Sequence, residues 1–107
     1  MIIREKDRLL LIDILSSFEL SNCEVFAYGS RVNNKAHDAS DIDLVIKFNG
    51  NEPLNASMLT AIKSKITNSN IPILVDLKDW ARIPDSFKQQ ILNNQHLFWK
   101  STSHILP

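Results

Sequence analysis

The run Asp41-Ile42-Asp43-Leu44-Val45-Ile46-Lys47-Phe48 constrains this chain more than any other stretch. Ile42, Leu44, Ile46 and Phe48 recur at every second position, the period of a strand with one buried face. Strand side chains alternate, so Asp41 and Asp43 lie together on the opposite face, one pleat apart. Carboxylates that close repel each other in a half-buried setting, and a cation must usually compensate them. A hard, oxygen-seeking ion such as Mg2+ does this while keeping positions open for substrate phosphates. The plainer alternative is a solvated strand edge or a pair of caps, and the aspartates alone do not decide between the two.

The segment before them adds the second half of the argument. Val25-Phe26-Ala27-Tyr28 is a short apolar run that leads into Gly29-Ser30, and the whole chain has only two glycines, Gly29 and Gly50. A glycine directly after a strand suits a tight turn whose backbone approaches a ligand closely. Ser30 can then offer its hydroxyl and backbone N–H to a phosphate oxygen at a helix N-terminus. Arg31 can contact a phosphate or pair with an aspartate, and both readings stay open. A lone Gly-Ser is most often a turn. Together with a preceding strand and the aspartate pair beyond a polar loop, it predicts a phosphate-gripping turn facing a metal-binding carboxylate pair.

Length and charge narrow the remaining choices. A chain of 107 residues with 44% hydrophobic content predicts a single globular core, not disorder. Twelve basic and twelve acidic side chains cancel, so no general pull towards nucleic acid exists, and direct nucleic-acid binding is not expected. Cys23 is the one cysteine, which forbids an internal disulfide and fits a reducing cytoplasm. No apolar run is long enough to span a membrane, and the charged start, Met1-Ile2-Ile3-Arg4-Glu5-Lys6, does not read as a signal peptide.

In chain order, a helix is expected over about Arg4–Leu20, with Leu9, Ile12, Leu15 and Phe18 as its stripe. Leu10, Leu11 and Ile14 widen that surface towards either the core or a partner. A first strand follows over about Glu24–Tyr28, then a short helix from Ser30 to Asn33, then the aspartate strand over Ser40–Phe48. Asn49–Pro53 is a turn, and a second helix runs over about Asn55–Asn68 on Leu54, Met58, Leu59, Ile62 and Ile66. The third strand is expected over Pro72–Leu77. There Ile73, Val75 and Leu77 share one face, and Asp76 can meet Asp41 and Asp43 if this strand neighbours theirs. Asp79 reads as a cap and Trp80 as packing or the wall of a base pocket. A last helix starts at Pro84-Asp85-Ser86, with the apolar cluster Leu97-Phe98-Trp99 near its end and a poorly ordered tail from Lys100. His96 and His104 lack ligand spacing and are assigned no metal, and His37 reads as a solvated loop histidine rather than a catalyst.

Gly29-Ser30-Arg31-Val32, Ala36 and Ser40-Asp41-Ile42-Asp43-Leu44 together resemble the signature of the nucleotidyltransferase superfamily that includes DNA polymerase β. The nearest pattern is that of its minimal prokaryotic branch, the MNT or MntA-like antitoxins. Val75-Asp76-Leu77-Lys78-Asp79-Trp80 is similar to the strand and turn that carry the family's third carboxylate. The second family glycine is Asn34 here, and Asn is the residue next most tolerant of a left-handed backbone.

The resemblance implies an α/β (α+β) nucleotidyltransferase fold over residues 1–107, a small mixed sheet with helices packed on one side. It implies transfer of a nucleoside monophosphate, AMP from ATP, with release of pyrophosphate. Two Mg2+ ions would be clamped by Asp41 and Asp43, with Asp76 binding one of them and helping to activate the acceptor. Gly29, Ser30 and Arg31 would hold the triphosphate. The implied partner is a HEPN-domain toxin modified on a tyrosine, in a homo- or hetero-oligomeric assembly. A module that neutralises such a partner by contact alone, its catalytic groups vestigial, is the alternative. An aminoglycoside nucleotidyltransferase fits less well, because those enzymes generally carry an extra helical domain.

Overall fold

The computed structural model describes residues 3–29 and 41–101. Its centre is the aspartate strand β2 (Ile42–Phe48), flanked by β1 (Cys23–Tyr28) and β3 (Val75–Asp79), with β4 (Gln95–Lys100) outside β1. The strand order is β3-β2-β1-β4, with β1 antiparallel to both β2 and β4, and β2 parallel to β3. A parallel pair needs a long crossover, and helix α2 (Ala56–Thr67) supplies it. The mixed α/β sheet is the expected fold class, but helices cover both of its faces and not one, because the alternating strands present apolar residues on each side.

Alternation in β1 and β2 sorts the two sheet faces. Cys23, Val25, Ala27, Ile42, Leu44 and Ile46 point to one side and meet Ile62 and Ile66 of α2. Leu11, Ile14 and Leu15 of α1 (Glu5–Ser16) complete that core. Asn55 starts α2 by accepting the backbone N–H groups of Ser57 and Met58 on its side chain, which satisfies two donors the helix cannot pair itself. Phe26, Tyr28 and Val45 point to the other side. They pack against Trp80 of a short 3-10 helix (Trp80–Arg82) and Phe87 and Ile91 of α3 (Asp85–Leu92). Lys47 lies over the Trp80 ring at 4.1 Å and the Phe26 ring at 4.7 Å, and this burial lowers its pKa. Trp80 is thus a packing residue, its indole N–H donating to Asn51 Oδ1 at 3.2 Å.

Five expectations about the elements are corrected. Helix α1 stops at Ser16 instead of continuing to Leu20, because the following N–H groups bond three residues back and Glu19 takes a left-handed φ of 53°. Its buried stripe is Asp7, Leu11, Ile14 and Leu15, while Leu9 is exposed. Asp7 can sit in that stripe because Arg4 grips both its carboxylate oxygens, at 2.9 and 3.0 Å. Strand β3 runs later than Pro72–Leu77, reaching Asp79. Finally, Leu97-Phe98-Trp99 belongs not to a helix but to edge strand β4, since α3 ends at Leu92 and Asn93-Asn94 closes it. Lys100 is part of that strand, and Ser101 is buried and bonded to Cys23 through both backbone and hydroxyl. The expected helix at Ser30–Asn33, the loop around His37, and the tail beyond Ser101 lie outside the described residues.

Candidate active site

Strand register brings the carboxylates together. Tyr28, the last residue of β1, stands opposite Asp43 on β2, and Asp43 stands opposite Asp76 on β3. Neighbouring strands lie about 4.8 Å apart, so Asp43 and Asp76 share one face as direct neighbours. Asp41 precedes β2 on the same side and is exposed. The condition set by the sequence, that the third strand lie beside the second, is met. The three are not closed into a ligand cage: among the described residues, no group of three His, Cys, Asp or Glu side chains is drawn to metal-holding distance.

The electrostatics of the site are unbalanced. Burial, and then the neighbouring charge of Asp76, hold the Asp43 carboxyl above its ordinary range; Lys78 opposes this and Asp41 adds to it. Lys78 forms an ion pair with Asp76, two residues away on the same strand face. Burial, Asp43 and Asp76 also push the Tyr28 phenol upward. A negative pair with one lysine beside it suits a further cation, and the all-oxygen donor set suits a hard divalent ion.

Gly29 forms the floor. Its φ is +82°, a conformation that side-chain-bearing residues rarely adopt, and a Cβ there would lie 2.6 Å from Asp43 Oδ2. Glycine therefore serves two needs at once: the turn after β1, and close approach of backbone to the carboxylate. Gly29→Ala should destabilise the fold by at least about 1 kcal/mol and displace Asp43. A thermal melt and a metal titration check this; unchanged metal affinity would count against the close packing. Ser30 and Arg31, expected on the phosphate, lie outside the described residues.

A profile of the polymerase beta nucleotidyltransferase family matches residues 11–103. This chain belongs to that family. A Haemophilus influenzae nucleotidyltransferase bearing the name probable protein adenylyltransferase MntA is 40% identical over 67 residues, which cover 63% of this chain. The match spans 57% of that relative's length. A crystal structure of a toxin–antitoxin with AMP-PNP superposes with a TM-score of 0.69 at 18% identity, covering 92% of this chain and 75% of that one. A Shewanella oneidensis complex of a tri-AMPylated HEPN toxin with an MNT antitoxin gives 0.66 at 17% identity, over 92% and 74% of the two chains. At such identities these likenesses show the nucleotidyltransferase fold.

Two side chains on the nucleotidyltransferase face went unread in the sequence. Lys78 was legible through its spacing, since it alternates with Asp76 onto the same face. Tyr28 was legible in the same way, but its position at the end of an apolar run disguised it as packing.

Proposed function

We propose that this nucleotidyltransferase transfers AMP from ATP to a hydroxyl, a tyrosine of a HEPN-domain toxin, and so acts as the antitoxin of the pair. The observation that carries the reading is the Asp43–Asp76 pair across β2 and β3, with the Gly29 backbone pressed against Asp43. The names of the relatives point the same way: an adenylyltransferase, a toxin–antitoxin with an ATP analogue, and an AMPylated HEPN toxin held by its MNT antitoxin.

In this reading Asp41, Asp43 and Asp76 hold Mg2+, two ions for the full site, while Gly29, Ser30 and Arg31 hold the triphosphate. The metal, when bound, neutralises charge on the phosphates and on the attacking and leaving oxygens. The acceptor oxygen attacks the α-phosphorus, its proton passes to Asp76, and the bond to the bridging oxygen breaks to release pyrophosphate. Lys78 keeps Asp76 in place until the site is loaded. Residues 1–107 act as one minimal transferase domain, working in a hetero-oligomer with the toxin. A cytoplasmic setting fits the thiol of Cys23, which is buried and pushed up to about 11, chiefly by burial. Among the described residues no helix is long and apolar enough to cross a membrane.

A second reading, neutralisation by contact alone, draws support from the ion pair that engages Asp76 and from the open spacing of the three aspartates. Purified protein incubated with labelled ATP, Mg2+ and a HEPN-domain partner separates the two. Mass spectrometry should find AMP units on a partner tyrosine. A stable complex without any mass gain would favour contact alone.

A further inference from the structure

One register row crosses the whole sheet on the carboxylate face: Gln95 on β4 pairs with Tyr28, Tyr28 with Asp43, and Asp43 with Asp76. The two residues of this row that are not acidic hold an anomaly. The Tyr28 hydroxyl and Gln95 Oε1 are both enclosed, and neither has a hydrogen-bond partner among the described residues. Tyr28 is only 8% exposed. Its ring meets Phe87 edge-on, with centroids 5.7 Å apart and planes at 82°. For packing alone, phenylalanine would serve better, because a buried polar group without a partner costs about 1–3 kcal/mol.

The hydroxyl has one proton to give, and its row neighbours carry two acceptors, the Gln95 carbonyl and the Asp43 carboxylate, neither of them bonded to it here. A bond to a charged acceptor is roughly twice as strong as one to a neutral amide. We propose that Tyr28 is a positioning residue for the metal site, its hydroxyl donating to the Asp43 carboxylate when the site is loaded and fixing the orientation of that ligand. This rests on the reading that Asp43 binds the divalent ion. Partners of this kind, one shell behind a metal ligand, typically contribute 10- to 100-fold to affinity.

The sequence contains a single tyrosine, so a tyrosine signal reports this residue alone. The test uses the full chain with Mn2+ and a non-hydrolysable ATP analogue, comparing wild type, Tyr28→Phe, Gln95→Leu and Asp43→Asn. Calorimetry should show Mn2+ binding about 10-fold weaker in Tyr28→Phe and unchanged in Gln95→Leu. Metal-free Tyr28→Phe should melt no lower than wild type, which a purely structural hydroxyl would not allow. The Raman doublet of the wild-type tyrosine should move towards a donating phenol as Mn2+ is added. Wild-type affinity in Tyr28→Phe, or an unmoved doublet while Mn2+ binds, would overturn the proposal and leave the metal reading standing. Binding in Asp43→Asn equal to wild type would remove the metal reading, and the role of Tyr28 with it.

Discussion

Asp43→Ala should abolish nucleotide transfer, lowering kcat/KM by at least about 10³-fold, the scale of losing a main electrostatic contributor to a transition state. Stability should move in the opposite direction. The Asp43 carboxyl is held above its ordinary range by burial and by Asp76, so its charged form opposes folding. A carboxyl raised in this way contributes stability that is present below its unfolded pKa of about 4 and is lost as pH rises through the folded value. Metal-free wild type should therefore melt higher as the pH drops from neutral towards that value. Asp43→Asn should show less of this gain, melt above wild type at neutral pH, and lack the thermal shift expected of wild type with Mg2+ on the proposed reading. Melting curves with and without Mg2+ at two pH values provide the check. A variant that melts lower than wild type at neutral pH would mean that Asp43 is a structural residue.

Asp79 should give the largest loss of stability. Its side chain is 1% exposed and accepts from the Leu54 N–H at 2.9 Å, the Ala81 N–H at 3.2 Å and Arg82 Nε at 3.0 Å. Arg82 also donates to the Leu54 carbonyl at 2.8 Å. One carboxylate thus ties the end of β3 and the 3-10 helix to the entry of α2. Asp79→Ala leaves two N–H groups and a guanidinium without their acceptor and should cost about 3–5 kcal/mol. In a domain of this size each kcal/mol lowers Tm by about 4–8 °C, a fall easily seen by calorimetry. Catalysis well below the new Tm should survive, because Asp79 faces away from Asp76. A Tm within a few degrees of wild type would show that the network is replaceable.

The parts of the molecule legible in sequence are those where a single period governs. In β2 the alternation of Ile42, Leu44 and Ile46 fixes strand, face and the side on which Asp43 stands. The Asp76 position followed from the same reasoning, given a neighbouring strand. Mixed signals hid the rest. Asp7 breaks the apolar pattern of α1, and only its pairing with Arg4 explains its burial, so the buried face centres on Leu11, Ile14 and Leu15 and leaves Leu9 exposed. In β4 the register shifts opposite Val25 and Phe26, which brings Phe98 and Trp99 against the same core and erases alternation. Asp79 does cap the 3-10 helix as expected, but its burial and its bonds to Leu54 and Arg82 were illegible because those partners come together only in the folded chain. The row from Gln95 to Asp76 draws on four separate strands, and no local pattern can announce it.

The β2–β3 pairing also bears on how the protein folds. Asp43 and Asp76 become neighbours only after the chain has closed a long loop through α2, and such non-local pairings form slowly because entropy is lost before contacts compensate. That docking step also brings two like charges together. On the proposed reading that Asp43 and Asp76 hold Mg2+, the dissolved cation should ease the final step of refolding as well as stabilise its product. Strand β3 lies at the edge of the sheet, where hydrogen exchange is generally quickest. Its hold there comes from side chains: Leu77 is buried in the core and Asp79 bonds the entry of α2, so the two carboxylates stay together once β3 has docked.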